Sequence, residues 1–325
     1  MKRFRNWLPL NNNGHAKPSA EESQAALPEC LSDVQRDNAH RDIYVAENVL
    51  LAIYLHIVGN YINLSGYARE VIFALTGPFG TGKSVTTIEA LYRLGVKVFV
   101  LAASAMENRY SGVPADRVFS IYYQAAQHVD ETGQPAAVVI DDLDMGVGEF
   151  ANVSQATTNT QMVITALMEI ADHPTMIRGT TPCTRVPIFV TANDLGKIYG
   201  ALTRPGRMRA FEWNPTGVAR EQVARHIFRD LLRPNQIDGL LARTSPHWSI
   251  AMYGALRSRV GDSILQRLFS NQPAPKILTE LVKSKEIDVS PTTILAVSNE
   301  LNWRALVKEV EAEHQAKRDY TGAAG

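Results

Sequence analysis

Charge of one sign, cysteine and long apolar runs are what this chain of 325 residues has little of. Lys+Arg and Asp+Glu both number 33, so the formal net charge is zero. That balance gives no general pull toward nucleic acid or an anionic membrane, although a local basic patch stays compatible with it. Cys30 and Cys183 are the only cysteines. They stand far apart without C-x-x-C spacing, give no metal site, and suit a reducing cytosol. The apolar run Val49–Val58 is too short to span a bilayer and contains His56. The opening MKRFRNWLPL is basic but lacks the apolar region and cleavage site of a signal peptide. Internal repeats and low-complexity tracts are also missing. A soluble, cytoplasmic protein follows, with neither membrane nor nucleic acid expected as a partner. Hydrophobic residues make up 45% of the chain, enough for a proper core in one large or two moderate domains.

The most informative stretch that is present runs from Val71 to Ser84, VIFALTGPFGTGKS. Val71–Leu75 is short, apolar and β-leaning, as a buried parallel strand should be. Gly77-Pro-Phe-Gly80-Thr81-Gly82-Lys83-Ser84 then fits G-x-x-x-x-G-K-[ST], and a helix is predicted over Val85–Leu94. Glycines let backbone N–H groups close around phosphate oxygens, and the helix N-terminus adds its positive dipole end. Lys83 would reach the β- and γ-phosphates of ATP, and the Ser84 hydroxyl would bind Mg²⁺. Gly77, Gly80, Thr81, Gly82, Lys83, Ser84 and Val85 are therefore the nucleotide-binding candidates. The alternative is a glycine-rich strand-to-helix turn that happens to carry Lys-Ser.

Around this loop the chain reads as alternating strands and helices. Residues 1–41 are polar and read as a flexible extension, with Trp7 and Leu8 as a conceivable docking point. Helical periodicity begins near Ala46 with Val49, Leu50, Ile53 and Ile57. Further strands are predicted at Val96–Leu101, Ala136–Ile140, Val186–Thr191 and Ala210–Trp213, and helices at Pro114–His128 and Asn152–Ile170. Between the second strand and its helix lies Tyr110-Ser111-Gly112, either an ordinary turn or a substrate-gripping pore loop, with Tyr110 as the grip and Gly112 as the flexible point. The third strand ends in Asp141-Asp142-Leu143-Asp144. One carboxylate, Asp141, would hold the metal's water shell, and the next, Asp142, would polarise the attacking water. Asn193, after the fourth strand, is a candidate for orienting that water or simply a helix cap. Arg204 and Arg207 are either a plain basic turn or, by resemblance to ring ATPases, where an arginine at this place forks onto a neighbouring subunit's γ-phosphate, residues with no evident task in their own chain. From Thr216 onward only helices are predicted, Val218–Leu232, Ile237–Ala242, His247–Leu268, then a tail at Lys276–Lys283 and Pro291–Arg318. Arg257 either reaches back to the γ-phosphate or is a surface arginine.

Together the loop, acid pair, Asn193, paired arginines and Arg257 occur in the order of AAA+ ATPases. The expected fold is α/β: a P-loop NTPase with a five-stranded parallel sheet flanked by helices and a C-terminal helical lid. The corresponding divisions are an extension (1–41), a nucleotide-binding part (42–214), a lid (215–275) and a tail (276–325).

The stretches DIYVAEN (42–48), VIDDLDMGVG (139–148), NTQMVITALMEIADHPT (159–175), RVPIFVTANDLGKIYGALTRPGRM (185–208) and YGALRSRVGDSIL (253–265) are more specific than those general motifs. At these residues, and in LVKSKEIDVSPTTILAVSNEL (281–301), the chain resembles the Rubisco activase family. The resemblance implies a hexameric homo-oligomeric ring that uses ATP and Mg²⁺ to remodel Rubisco and release inhibitory sugar phosphates. It carries the roles above onto Lys83, Ser84, Asp141, Asp142, Asn193, Arg204, Arg207 and Arg257. The chain departs from the family in reading GPFGTGKS where activases have a GGKGQGKS-like string, and in its aromatic Tyr110. Residues 1–41 are also unlike the plant-type N-terminal domain. Two other functions stay open at this point: an activase-like motor with a different protein target, and a nucleotide-switched scaffold with low turnover.

Overall fold

In the computed structural model, residues 43–62, 69–102, 112–147, 158–269 and 291–322 are described. The extension 1–41, Tyr110 and the tail helix expected at Lys276–Lys283 lie outside the described residues.

The strands among the described residues are β1 (Ile72–Thr76), β2 (Lys97–Ala102), β3 (Ala136–Asp141), β4 (Met176–Ile177), β5 (Thr181–Pro182), β6 (Ile188–Ala192) and β7 (Met208–Glu212). Five of them form one parallel sheet in the order β2-β3-β6-β1-β7. β1, β3 and β6 are almost wholly buried, which explains their continuous apolar runs: a central parallel strand has no solvent face on which to alternate. Ile72 and Ala74 of β1 point into one core, Phe73 and Leu75 into the other.

Helices cover both faces. α1 (Glu47–Tyr61) and α2 (Lys83–Arg93) set Val49, Ile53, Ile57 and Leu91 against Phe73, Val139 and Phe189. α3 (Val113–Thr132) and α5 (Thr158–Asp172) set Val118, Tyr122, Leu167 and Ile170 against Ile72, Val138, Ile140 and Val190. Each such buried side chain contributes roughly 1.5–3 kcal/mol relative to exposure. His56 of α1 is fully buried between Phe73 and Phe189, at ring-centroid distances of 5.3 and 5.2 Å. Its Nε2 lies 3.1 Å from the Val71 carbonyl oxygen, and burial pushes its pKa down to about 3. Two short helices, α4 (Leu143–Val147) and α6 (Gly200–Thr203), sit in connections near the site.

A third core is helical. α7 (Gly217–Phe228), α8 (Pro234–Leu241), α9 (Ile250–Phe269), α10 (Pro291–Glu300) and α11 (Trp303–Gly322) gather around Phe228, Tyr253, Leu256, Val260, Val307 and Val310. Trp248 Nε1 donates to Glu311 Oε1 at 3.1 Å, so part of the region read as a tail packs on the helices read as a lid.

Two local expectations are corrected. The helix expected as one piece over Pro291–Arg318 is broken: the Asn302 Oδ1 accepts the Ala305 N–H at 3.2 Å and starts α11 anew, an N-cap hidden inside an apolar periodicity. The β4–β5 hairpin was not anticipated. Its turn holds Arg178 and Gly179 at φ values of 51° and 66°, and an arginine at the first of these positions conceals a turn usually marked by Asn or Asp. No helix among the described residues is long and apolar enough to cross a membrane.

Candidate functional site

The strand order places β6 between β3 and β1. The loops leaving the carboxyl ends of these three strands therefore meet at one edge, the crevice where open α/β sheets bind ligands.

The loop after β1 is held from two sides. At Gly77 (φ 148°) a Cβ would stand 2.1 Å from the Trp213 carbonyl oxygen, so backbone passes against backbone and only glycine fits. Trp213, just past β7, donates its N–H to the Thr76 carbonyl oxygen at 2.6 Å and its Nε1–H to that of Thr81 at 2.9 Å. From the helical part, the Ala251 N–H donates to the Gly80 carbonyl oxygen at 2.8 Å. Gly80, at φ 73°, packs on Ser249 and Ala251, and Thr81 Oγ1 bonds the Pro78 carbonyl oxygen at 3.0 Å. Gly82, left-handed, opens α2 at Lys83, so Ser84 and half-exposed Val85 sit in a first turn whose N–H groups lack helical partners. The glycine cradle and this helix start fit a polyphosphate.

Lys83 is folded over the loop. Its Nζ donates to the Gly77 and Pro78 carbonyl oxygens at 2.9 and 3.0 Å and to Asn193 Oδ1 at 2.7 Å. Burial lowers its pKa, and Asp142, Asp144 and Asp141 oppose that shift. Lys83 thus already touches Asn193, with the carboxylates of β3 near enough to act on it.

Asp141 ends β3, and its Oδ1 accepts from Thr191 Oγ1 at 2.6 Å. Asp142 follows at φ 51°, a left-handed backbone that non-glycine residues seldom adopt and that clusters at functional sites. Burial raises its pKa, with Asp141 and Asp144 adding to the shift and Lys83 opposing it. Asp144 is completely buried and accepts the N–H groups of Asn193 and Asp194 at 2.9 and 3.1 Å. It braces the end of β6, a role its sequence position did not reveal. The capping alternative for Asn193 falls to its neighbour: the Asp194 carboxylate accepts the Gly196 N–H at 2.8 Å.

The arginines differ. Arg207 does have a task in its own chain. It pairs with Asp172 at the end of α5 through Nε and Nη2, at 2.8 and 2.5 Å, and bonds the Ala201 carbonyl oxygen at 2.7 Å. Arg204, three residues earlier on the same turn, is exposed, and its side chain makes no hydrogen bond or ion pair among the described residues. Arg257 lies on α9 and forks onto Asp230, with both contacts at 2.7 Å.

Arg257 also lines a cavity of about 390 Å³ between the α/β and helical parts. Gly82, Val85, Val223, Ile227 and Ile250 give it apolar walls, and Tyr44 and His226 stand on it with ring centroids 5.8 Å apart. Tyr44 OH donates to Gln222 Oε1 at 2.8 Å, and Arg93 bonds the Ile43 carbonyl oxygen, tethering residues 43–44 beside α2. Size and lining suit a nucleoside beside the phosphate cradle. Apart from the loop residues and Arg257, no wall residue carries a nucleotide-contact signal in the sequence, although Tyr44 lies in the stretch DIYVAEN. Gly112, expected as a flexible point, opens α3 at φ 90° with its N–H bonded to Asn159 Oδ1 of α5 at 3.1 Å, so it is an anchor.

Among the described residues no group of three or more His, Cys, Asp or Glu could hold a metal by itself. The oxygen donors beside the cradle, the Ser84 hydroxyl and Asp141 Oδ2, suit a hard cation that takes the rest of its shell from phosphate and water. Asp141 Oδ2 makes no hydrogen bond among the described residues.

Comparison with known proteins adds a family to this geometry. The sequence profile of AAA, the ATPase family associated with various cellular activities, matches residues 73–216. The chloroplastic ribulose bisphosphate carboxylase/oxygenase activase of Vigna radiata var. radiata is 34% identical over 257 residues, covering 78% of this chain and 58% of the relative. That of Chlamydomonas reinhardtii is 30% identical over 282 residues, covering 85% and 69%. The activase of Anabaena sp. (strain CA / ATCC 33047) is 32% identical over 249 residues, covering 75% and 60%. The chain thus spans 58% to 69% of the length of these relatives.

Proposed function

Because the chain belongs to the Rubisco activase family of AAA ATPases, we propose that it hydrolyses MgATP in a homo-oligomeric, hexameric ring in the cytoplasm and uses the energy to remodel Rubisco, releasing inhibitory sugar phosphates. The observation that carries this reading is the meeting of Lys83, Asn193 and the acid pair at the ends of three adjacent strands. Binding would belong to residues 42–214, closure to the lid at 215–275, and the tail, 276–325, would brace the lid.

In this reading, ATP sits with its base in the cavity beside Tyr44 and His226 and its phosphates on the Gly77–Val85 loop. Lys83 exchanges Asn193 Oδ1 and the loop carbonyls for phosphate oxygens, which frees Asn193 Oδ1 to orient the attacking water while Nδ2 stays on Asp144. Ser84 and Asp141 would hold Mg²⁺, whose charge would offset the negative charge of the phosphates. Asp142, with its pKa raised by burial and by its acidic neighbours, polarises the water. Arg204, whose side chain makes no hydrogen bond or ion pair among the described residues, reaches the γ-phosphate bound by the next subunit, while Arg207 braces the turn that carries it. Arg257 trades Asp230 for the γ-phosphate and so reports its presence to α9. Tyr110 would grip the substrate in the ring, with Gly112 as the anchor behind it at the start of α3.

The test is to incubate the protein with MgATP and with Rubisco of the same source closed on an inhibitory sugar phosphate, and to follow carboxylation. Recovery that needs ATP supports the reading. ATP turnover without recovery assigns the motor a different protein target, and tight ATP binding without turnover assigns it the role of a nucleotide-switched scaffold.

A further inference from the structure

Thr191 is a fully buried polar residue of β6 that no motif marks and that the steps above do not use. It stands opposite Leu75 of β1 in register, and its hydroxyl faces the end of β3. A threonine hydroxyl has one proton to give and lone pairs to accept with. Here both are committed. Oγ1 donates to Asp141 Oδ1 at 2.6 Å, and the Asp142 N–H donates to the same Oγ1 at 2.9 Å. One oxygen atom therefore ties the side chain of the first acid to the backbone of the second.

The second tie matters because of where Asp142 is. Its φ of 51° is an uncommon conformation for a residue with a Cβ, and it persists only where the surroundings impose it. Two bonds impose it here: the Asp142 N–H to Thr191, and the Asp142 carbonyl oxygen, which accepts the Met145 N–H at 2.9 Å. The first tie claims one oxygen of Asp141 and leaves Oδ2 without a hydrogen bond among the described residues. Asp144 works alongside, bonding the backbone of Asn193 and Asp194 from the β3 side. The ends of β3 and β6 are thus laced in both directions, Thr191 holding the acid pair and Asp144 holding Asn193.

From this lacing we infer that Thr191 is a positioning residue for ATP hydrolysis: its hydroxyl sets the rotamer of Asp141 and the left-handed turn of Asp142, and with them the placement of the two carboxylates against the phosphates. The inference rests on the nucleotide-hydrolysis reading for its functional consequence and on the hydrogen bonds alone for its structural content. Valine keeps the shape and β-preference of threonine but removes both ties, and serine keeps the ties while losing only a methyl group.

The test compares the parent with Thr191→Val and Thr191→Ser. Thr191→Val should lower kcat by about 10²-fold, the cost of misplacing a reacting group by about an ångström. The KM for ATP should stay within about threefold, and nucleotide affinity in EDTA should not change, because the cradle residues are untouched. Thr191→Ser should recover kcat to within about threefold of the parent, because it restores both ties. Hydrogen exchange adds an arm independent of turnover: the Asp142 amide should be protected in the parent and in Thr191→Ser, and exchange markedly faster in Thr191→Val. Parental kcat in Thr191→Val, equal loss in the serine and valine variants, or an Asp142 amide that exchanges alike in all three would overturn the inference. If the parent does not hydrolyse ATP, the functional reading fails, and the exchange arm still decides whether Thr191 holds the turn. If Thr191→Val does not fold, rapid exchange of the Asp142 amide in the parent is the overturning result.

Discussion

The two ends of the site are built in different ways. At the phosphate end, the acids and Asn193 come from strand termini, and the loop with Lys83 and Ser84 is one uninterrupted run of residues from β1 into the first turn of α2. At the base end, the wall is assembled from separate parts of the chain, among them Tyr44, Gly82, Trp213, His226, Ile250 and Arg257. The first is held by hydrogen bonds: Lys83 to Asn193, Asn193 to Asp144, and Asp141 and Asp142 to Thr191 of the buried strand β6. The second spans the junction between two cores, where Arg257 and Asp230 pair at a half-exposed surface. The phosphate end should therefore set the rate of chemistry as well as hold the phosphates, and the base end should contribute to affinity without changing the rate and report nucleotide state.

Substitutions on the two ends should separate accordingly. The largest effect is expected from Lys83→Ala, which removes the cation from the phosphate cradle. ATP turnover should fall by about 10³-fold or more, and nucleotide binding measured by calorimetry should weaken in parallel. Preserved turnover in a folded Lys83→Ala protein would break the comparison at its strongest point.

Next come the two arginines of one turn. Arg204→Ala should reduce turnover by about 10²-fold or more with little change in melting temperature, and should poison parental rings when mixed with them. Arg207→Ala loses the bond to Asp172 and should lower the melting temperature by about 2–4 °C. If the two variants exchanged these phenotypes, the exposed arginine would be the brace and the paired one the active group.

At the base end, Tyr44→Ala should raise the KM for ATP by about 10-fold and leave kcat within about twofold, since a ring beside the cavity contributes to binding uniformly. A fall in kcat with unchanged KM would erase the distinction between the ends.

The smallest effect on activity is expected behind the sheet, at His56. Its folded-state pKa of about 3 lies below the ordinary 6.5, so between those values the unfolded chain binds the extra proton. Stability contributed by this residue is complete above pH 6.5 and falls as pH drops toward 3, by about 1.4 kcal/mol per pH unit. Urea unfolding at pH 7 and 5.5 should show that loss in the parent and a smaller one in His56→Gln. Equal slopes would place the acid sensitivity elsewhere.

Sequence reached the phosphate end because its residues are tied to strand ends by short, fixed spacings: Gly77 to Ser84, the acids directly after Ile140, Asn193 two residues after Thr191. The five-stranded sheet was legible for the same reason, since strands buried on both faces leave unbroken apolar runs. The base end was not legible. Tyr44, Trp213 and His226 are each ordinary residues in their local context, and only tertiary packing brings them to one cavity. The distinction between Arg204 and Arg207 was equally hidden, because it depends on Asp172 across the fold. Asp144 and Thr191 were missed because buried hydrogen bonds between strand ends leave no periodic trace.

Asp142 tests the central claim, that the meeting of strand ends is where ATP is hydrolysed, most directly. Asp142→Asn removes the carboxylate while keeping size and hydrogen-bonding backbone. In a single-turnover assay with γ-labelled ATP, at protein concentrations high enough to assemble the proposed ring, this variant should bind ATP with an affinity within about threefold of the parent and release phosphate about 10²-fold more slowly or worse. Release at the parental rate would contradict the account and move the water-polarising role away from Asp142.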